Sequence, residues 1–195
     1  MQKGKDISDS TTIPSLGNFF ISMLNKELFT RLFPLHKPQR NDLNGLIVIM
    51  ITTGEGHLKI NGKDYLAHPG TLIPLLPFHL IENHYLSDDF VCKYLSYSFD
   101  FMVDFPFVLK SGISERIGNK PYLSLTTEEF NHLDEFFIFI SRQAARLDHP
   151  SREEITKALL FSFIAELSFI YSRQAVLVGT NRQKQIVDDF FRLLH

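Results

Sequence analysis

The spacing of apolar residues changes once along this chain. Between residues 46 and 99 they come in short runs separated by glycine, proline and asparagine; from Thr127 onward they recur every three or four positions. The first pattern predicts strands. Residues 46–53 are rich in β-branched side chains, Gly54-Glu-Gly56 bends the chain, and 57–60 form a second short strand. Asn61-Gly62 then predicts a type I′ hairpin, because both central residues of that turn need positive φ. Residues 63–67 return, Pro69-Gly70 turns again, 71–76 make a strand broken by Pro74, and 90–99 supply a long one. Short strands punctuated in this way describe a small antiparallel barrel or double-sheet roll.

The second pattern predicts helices. Phe130, Leu133, Phe137, Ile140, Ala144 and Leu147 hold one helical face that ends at Asp148-His149-Pro150. Ser151 with Glu154 three residues on is a capping-box pattern, so a second helix starts at once. From residue 155 to 171 apolar side chains occupy more than one face, more than a single partner surface covers. Leu159, Phe163, Ile164 and Leu167 are therefore candidates for an interface with a second copy or for the contact between the two helices. Residues 176–181 are expected to be a link. Ile186, Val187, Phe190, Leu193 and Leu194 then mark a last short helix with nothing to pack on, which leads us to expect that the chain is the front part of a longer protein.

Composition narrows the classes. With 44% hydrophobic and 13% aromatic residues in 195, the chain can build a real core, and 19 phenylalanines without a tryptophan make that core densely aromatic. A net charge of −2 argues against a broad surface for phosphate backbones. The one cysteine, Cys92, excludes an internal disulfide, and no apolar run follows the charged and polar start, so a cytoplasmic location is expected. No stretch reaches the ~18 consecutive apolar residues of a membrane span, and no membrane partner is expected.

Catalytic chemistry has little to stand on. There is no His-x-His pair, no phosphate loop and no dinucleotide fingerprint; Gly54-Glu-Gly56 leads into a strand, the wrong context. Cys92 sits mid-strand in apolar company, where a thiol is usually inert. The one local cluster is His79-Leu-Ile-Glu-Asn-His84, in which strand alternation puts Glu82 and His84 on one face and His79 on the other. Two ligand types without a third do not make a metal site. No metal, cofactor or enzymatic activity is expected.

The order of these pieces is more informative than any one of them. A polar arm, Gly54-Glu-Gly56, Ile60-Asn-Gly62, Tyr65, His68-Pro-Gly70, Leu75-Leu-Pro77 and His79, two antiparallel helices and a further helix from Arg182 together resemble the N-terminal regulatory half of an AraC-type bacterial transcription regulator. The resemblance spans roughly residues 30–195. It implies an α+β fold: a cupin-like antiparallel barrel or double-sheet roll, a two-helix antiparallel hairpin and a short C-terminal helix. It implies an arm over 1–15, an effector-binding barrel over 16–120, a helical dimerisation hairpin over 121–175, and a linker with the first helix of a DNA-binding domain over 176–195. Its partners are a second copy, a small-molecule effector, and DNA only through the domain that would follow.

Effector contacts are expected from inward strand positions and the barrel mouth: Thr53, His79, Glu82, His84, Tyr94 and Ser96. No arginine lies between Arg40 and Arg116, so an apolar or aromatic effector fits better than a sugar or carboxylate. Two other readings are a metal-dependent cupin enzyme and a ligand-free pairing module, and a barrel interior filled with side chains would favour the latter.

Overall fold

The computed structural model describes the backbone of residues 18–102 and 112–193 and the side chains as far as residue 174. The expected arm over 1–15 lies outside the described residues. Nine strands are described: β1 (Phe19–Asn25), β2 (Gln39–Arg40), β3 (Gly45–Thr53), β4 (Gly56–Ile60), β5 (Lys63–Ala67), β6 (Thr71–Leu75), β7 (Leu80–Leu86), β8 (Val91–Ser98) and β9 (Leu123–Ser124). Four α-helices accompany them: α1 (Lys26–Leu32), α2 (Ile113–Asn119), α3 (Thr127–Ala144) and α4 (Arg152–Leu193). The strands form two antiparallel sheets, β1-β8-β3-β6-β9 and β2-β7-β4-β5, stacked as the double-sheet roll that the strand pattern predicts.

The middle of the larger sheet explains the layering. Every residue of β3 from Gly45 to Ile51 is buried, which requires cover on both faces. Ile47, Ile49 and Ile51 face the smaller sheet and pack with Leu58, Ile60 and Ile81. Leu46, Val48 and Met50 face the opposite way, onto α3 and α4. Gly45 is required where β3 crosses β8, since a Cβ there would lie 1.9 Å from the Tyr97 carbonyl oxygen. The Asn61-Gly62 turn has φ of 48° and 80°, the type I′ geometry expected of it.

Three expectations are corrected. Pro74 does not break β6: it pairs with Val48 beyond the point where β9 covers the far edge, so its missing N–H interrupts no ladder. Leu147 does not join the buried face of the first helix, because α3 ends at Ala144 and leaves Leu147 65% exposed. Residues 176–181 are not a link, since α4 runs unbroken to Leu193; with no proline present, the single Gly179 costs a helix only about 1 kcal/mol. The side chains of the expected last helix, Ile186 to Leu194, lie outside the described residues.

Local signals place the remaining elements. Asn25 ends β1 and caps α1, accepting the Leu28 N–H at 2.9 Å. Thr126 and Glu129 form a reciprocal capping box that starts α3. From there Leu133, Phe137, Ile140 and Ala144 are buried on the sheet together with Leu160, Phe163, Ile164, Leu167 and Ile170 of α4. The Arg152–Gln174 part of α4 is long and apolar enough, by composition alone, to cross a membrane. Its apolar stripe is the core of the helical layer.

The same packing gives three of the four candidates for an intersubunit or interhelix contact a place between the helices and the sheet. Phe163, Ile164 and Leu167 are 0–1% exposed inside one copy and serve the helix–helix and helix–sheet contact; only Leu159 is half-buried. A side chain already enclosed has no surface left to offer a partner.

Candidate functional site

The six residues expected to hold an effector do not share a cavity. Tyr94 faces the interior of the roll, 8% exposed, and burial raises its pKa above the usual phenol range. Ser96, two residues on, is half-buried and hydrogen-bonds to the Tyr94 side chain, which opposes that shift. Around them the interior is filled by branched and aromatic side chains of both sheets. His79 is buried beyond β6, with its Nδ1 lacking a hydrogen-bond partner, and burial lowers its pKa. Thr53 lies at the other end of β3, where its hydroxyl donates to the Asp89 carbonyl at 2.8 Å. The remaining two, Glu82 and His84, do meet.

They meet on the outer face of the smaller sheet, in a row of imidazoles. The register of β4 against β7 shifts between His57 and Leu58: His57 lies opposite Tyr85 and Leu58 opposite Asn83, which leaves His84 as the extra residue of a bulge. The His84 ring is thereby turned onto His57, with centroids 5.2 Å apart and planes at 30°. His36 closes the other side at 5.3 Å, edge-on. It is held in the left-handed region at φ 54°, and its N–H donates to the Asn83 carbonyl at 2.7 Å. Strand bulge and positive φ together deliver three histidines from distant parts of the sequence to one spot.

Carboxylates flank the row. Asp64 on β5 lies 3.0 Å from His57 Nε2, and Lys59 Nζ is 4.0 Å from the same oxygen. Glu82 lies 3.2 Å from His84 Nε2 but off the line of a hydrogen bond, so that buried nitrogen has no hydrogen-bonding partner. Exposed Tyr85 and Leu66 stand on either side of His57 in the cross-strand register. The result is a row of three imidazoles on the outer sheet face, in which His57 Nε2 is held by Asp64 and His84 Nε2 is buried. Among the described residues, no three His, Cys, Asp or Glu side chains converge to hold a metal ion.

Strand alternation puts Glu82 and His84 on one face, while His36, His57 and Asp64, which the structure brings beside them, carry no signal in it. Alternation along a single strand pairs residues two apart; neither a bulge nor a cross-strand neighbour is visible in it.

No family model matches the sequence, and no curated protein matches it. Solved structures do resemble it. ToxT of Vibrio cholerae is 10% identical with a TM-score of 0.48, over 80% of this chain and 57% of that one. The AraC-like transcriptional activator CuxR is 10% identical with a TM-score of 0.42, over 77% and 53%. EutQ of Clostridium difficile is 17% identical with a TM-score of 0.33, over 45% and 64%. The chain thus matches little more than half the length of ToxT and of CuxR.

Proposed function

We propose that this chain is the regulatory and pairing half of an AraC-type transcription regulator, a cytoplasmic protein whose DNA contacts belong to a domain following residue 195. The observation that carries the reading is the way the helices are mounted. α3 and α4 seal one face of a double-sheet roll, and α4 continues as one helix of 42 residues, about 63 Å long, to Leu193. A change in the roll or in the seating of α3 is then passed along a single continuous helix. An effector biases such a device only by its differential affinity for two arrangements.

In this reading the effector is a small planar aromatic molecule that contacts His36, His57, Glu82 and His84 on the outer face of the smaller sheet, not the filled interior of the roll. The chain is not an enzyme. A second reading, a pairing module without a ligand, is favoured by that same filled interior.

Two measurements test the proposal. In a mobility shift with the upstream region of its own gene, residues 1–195 should give no specific complex, whereas the protein extended by its following domain should; specific retention by residues 1–195 alone would refute it. In an NMR titration with aromatic effectors, shifts should gather on residues 36, 57 and 82–85 and vanish in His57→Ala and His84→Ala. A full effector library that moves none of these signals would leave the ligand-free module as the better account.

A further inference from the structure

Outside the roll, where α3 lies over the larger sheet, there is a groove of about 440 Å³ that the imidazole row does not touch. Two periodicities build it. In the β1–β8 register Ile21 stands opposite Leu95 on the helical face of the sheet, and alternation puts Lys93 and Val91 on that same face. Leu95 is fully buried under the helices, whereas Lys93 and Val91, nearer the start of β8, line the groove. On α3 the buried stripe Leu133, Phe137, Ile140 and Ala144 is flanked by Asp134, Ile138 and Ser141, one residue per turn. Ile138 and Ser141 overhang the groove, and Asp134 holds Lys93 in an ion pair at one end of it. Asp134 and Ser141 are two turns, about 10 Å, apart along the helix.

The lining is mainly apolar, from Ile21, Val91, Phe137 and Ile138, and its polar groups favour an acceptor. Lys93 has three N–H donors, no acceptor, and only one carboxylate partner. The Asn25 amide oxygen is committed to the Leu28 N–H, which leaves its NH2 for the rim. Charge then narrows the class. The Lys93 and Asp134 side chains are largely enclosed and neutralise each other. An anionic ligand would draw Lys93 away and leave the Asp134 carboxylate unpaired, while a cationic one would meet the ammonium. Either leaves a poorly hydrated charge uncompensated, which is costly. A neutral oxygen takes a spare Lys93 N–H and leaves the pair intact.

We propose that this groove binds an uncharged aromatic molecule of about two fused rings that carries one carbonyl-type acceptor, a size that fits a groove of this volume. The rings lie between Val91 and Ile138, and the acceptor meets Lys93 Nζ. This is a second small-molecule site, independent of the effector contacts assigned above to the outer face of the smaller sheet. One of its walls is sheet and the other is α3, so an occupant ties the helix to the sheet.

The test is an NMR titration of residues 1–195 with 2-acetylnaphthalene, 2-ethylnaphthalene and 2-naphthoate, which share one shape and carry a neutral acceptor, none, and an anion. The ketone should move the signals of Ile21, Val91, Ile138 and Ser141, and the other two should each bind about tenfold more weakly. Ile138→Gln, at a position 40% exposed, should weaken ketone binding roughly fivefold or more without unfolding the chain. Lys93→Met combined with Asp134→Leu keeps the groove and should bind ketone and hydrocarbon equally, with urea unfolding checking that the variant is folded. A ketone preference that survives in this double variant would overturn the assignment to Lys93. Carboxylate binding as tight as the ketone's would overturn the uncharged class. Shifts confined to residues 36, 57 and 82–85 would place the ligand on the imidazole row and overturn the groove. Binding of none of the three molecules would overturn the proposal and leave the reading of the row as it stands.

Discussion

Replacing Phe163 with alanine distinguishes a core position from an interface position. Phe163 is fully buried within one copy. Its ring stands edge-on to Phe137 with centroids 5.4 Å apart, and to Phe136 at 6.2 Å. Truncating a buried phenylalanine costs about 3–5 kcal/mol, the sum of lost transfer energy and the cavity left behind. Each edge-to-face contact is worth about 0.5–1.5 kcal/mol beyond its area, which places this site near the middle of that range, at about 4 kcal/mol. With a urea slope of about 2 kcal/mol per molar, the unfolding midpoint should fall by about 2 M. The same change at half-buried Leu159 should cost clearly less. Equilibrium urea unfolding by circular dichroism, with sedimentation of the folded variant, reads both quantities. A midpoint within about 0.5 M of the parent, accompanied by dissociation of a dimer, would refute the packing argument and return Phe163 to an intersubunit surface.

Further outcomes follow from single contacts. Lys93 of β8 is ion-paired with Asp134 of α3, with side chains only 13% and 26% exposed, so Asp134→Ala should cost about 1–3 kcal/mol in urea unfolding, and Lys93→Met combined with Asp134→Leu should recover most of it. Buried His79 has its pKa lowered, so as pH falls below about 6.5 the unfolded chain takes up a proton that the folded chain resists. Stability should therefore decline from that pH down to the folded-state pKa, and His79→Leu should flatten this part of the profile in urea titrations between pH 7.5 and 5.5. Cys92 is fully buried and its thiol pKa is pushed up by burial, so it should fail to react with a disulfide reagent at pH 8 until the protein is unfolded. Thr126→Ala removes one half of the α3 capping box and should cost about 1 kcal/mol in the same unfolding assay.

Several elements are legible in the chain itself because their signals are local. Asn61-Gly62 specifies its own turn through φ, Ser151 and Glu154 announce a helix start that falls at Arg152, and the apolar run over residues 46–51 needs cover on both faces whatever supplies it. Periodicity shows that residues 155–171 must bury more than one face of their helix, yet it does not say on what. The sheet took Phe163, Ile164 and Leu167, and left Ile138, Phe139 and Phe169 outside. The imidazole row depends still more on tertiary placement: His36 and His57 reach His84 through a positive-φ residue and a bulge in pairing between β4 and β7. Backbone dihedral preference and side-chain period belong to short stretches of sequence. Cross-strand register and the division of an apolar surface between the protomer and a partner belong to the packed whole, because they depend on contacts between segments far apart in the chain.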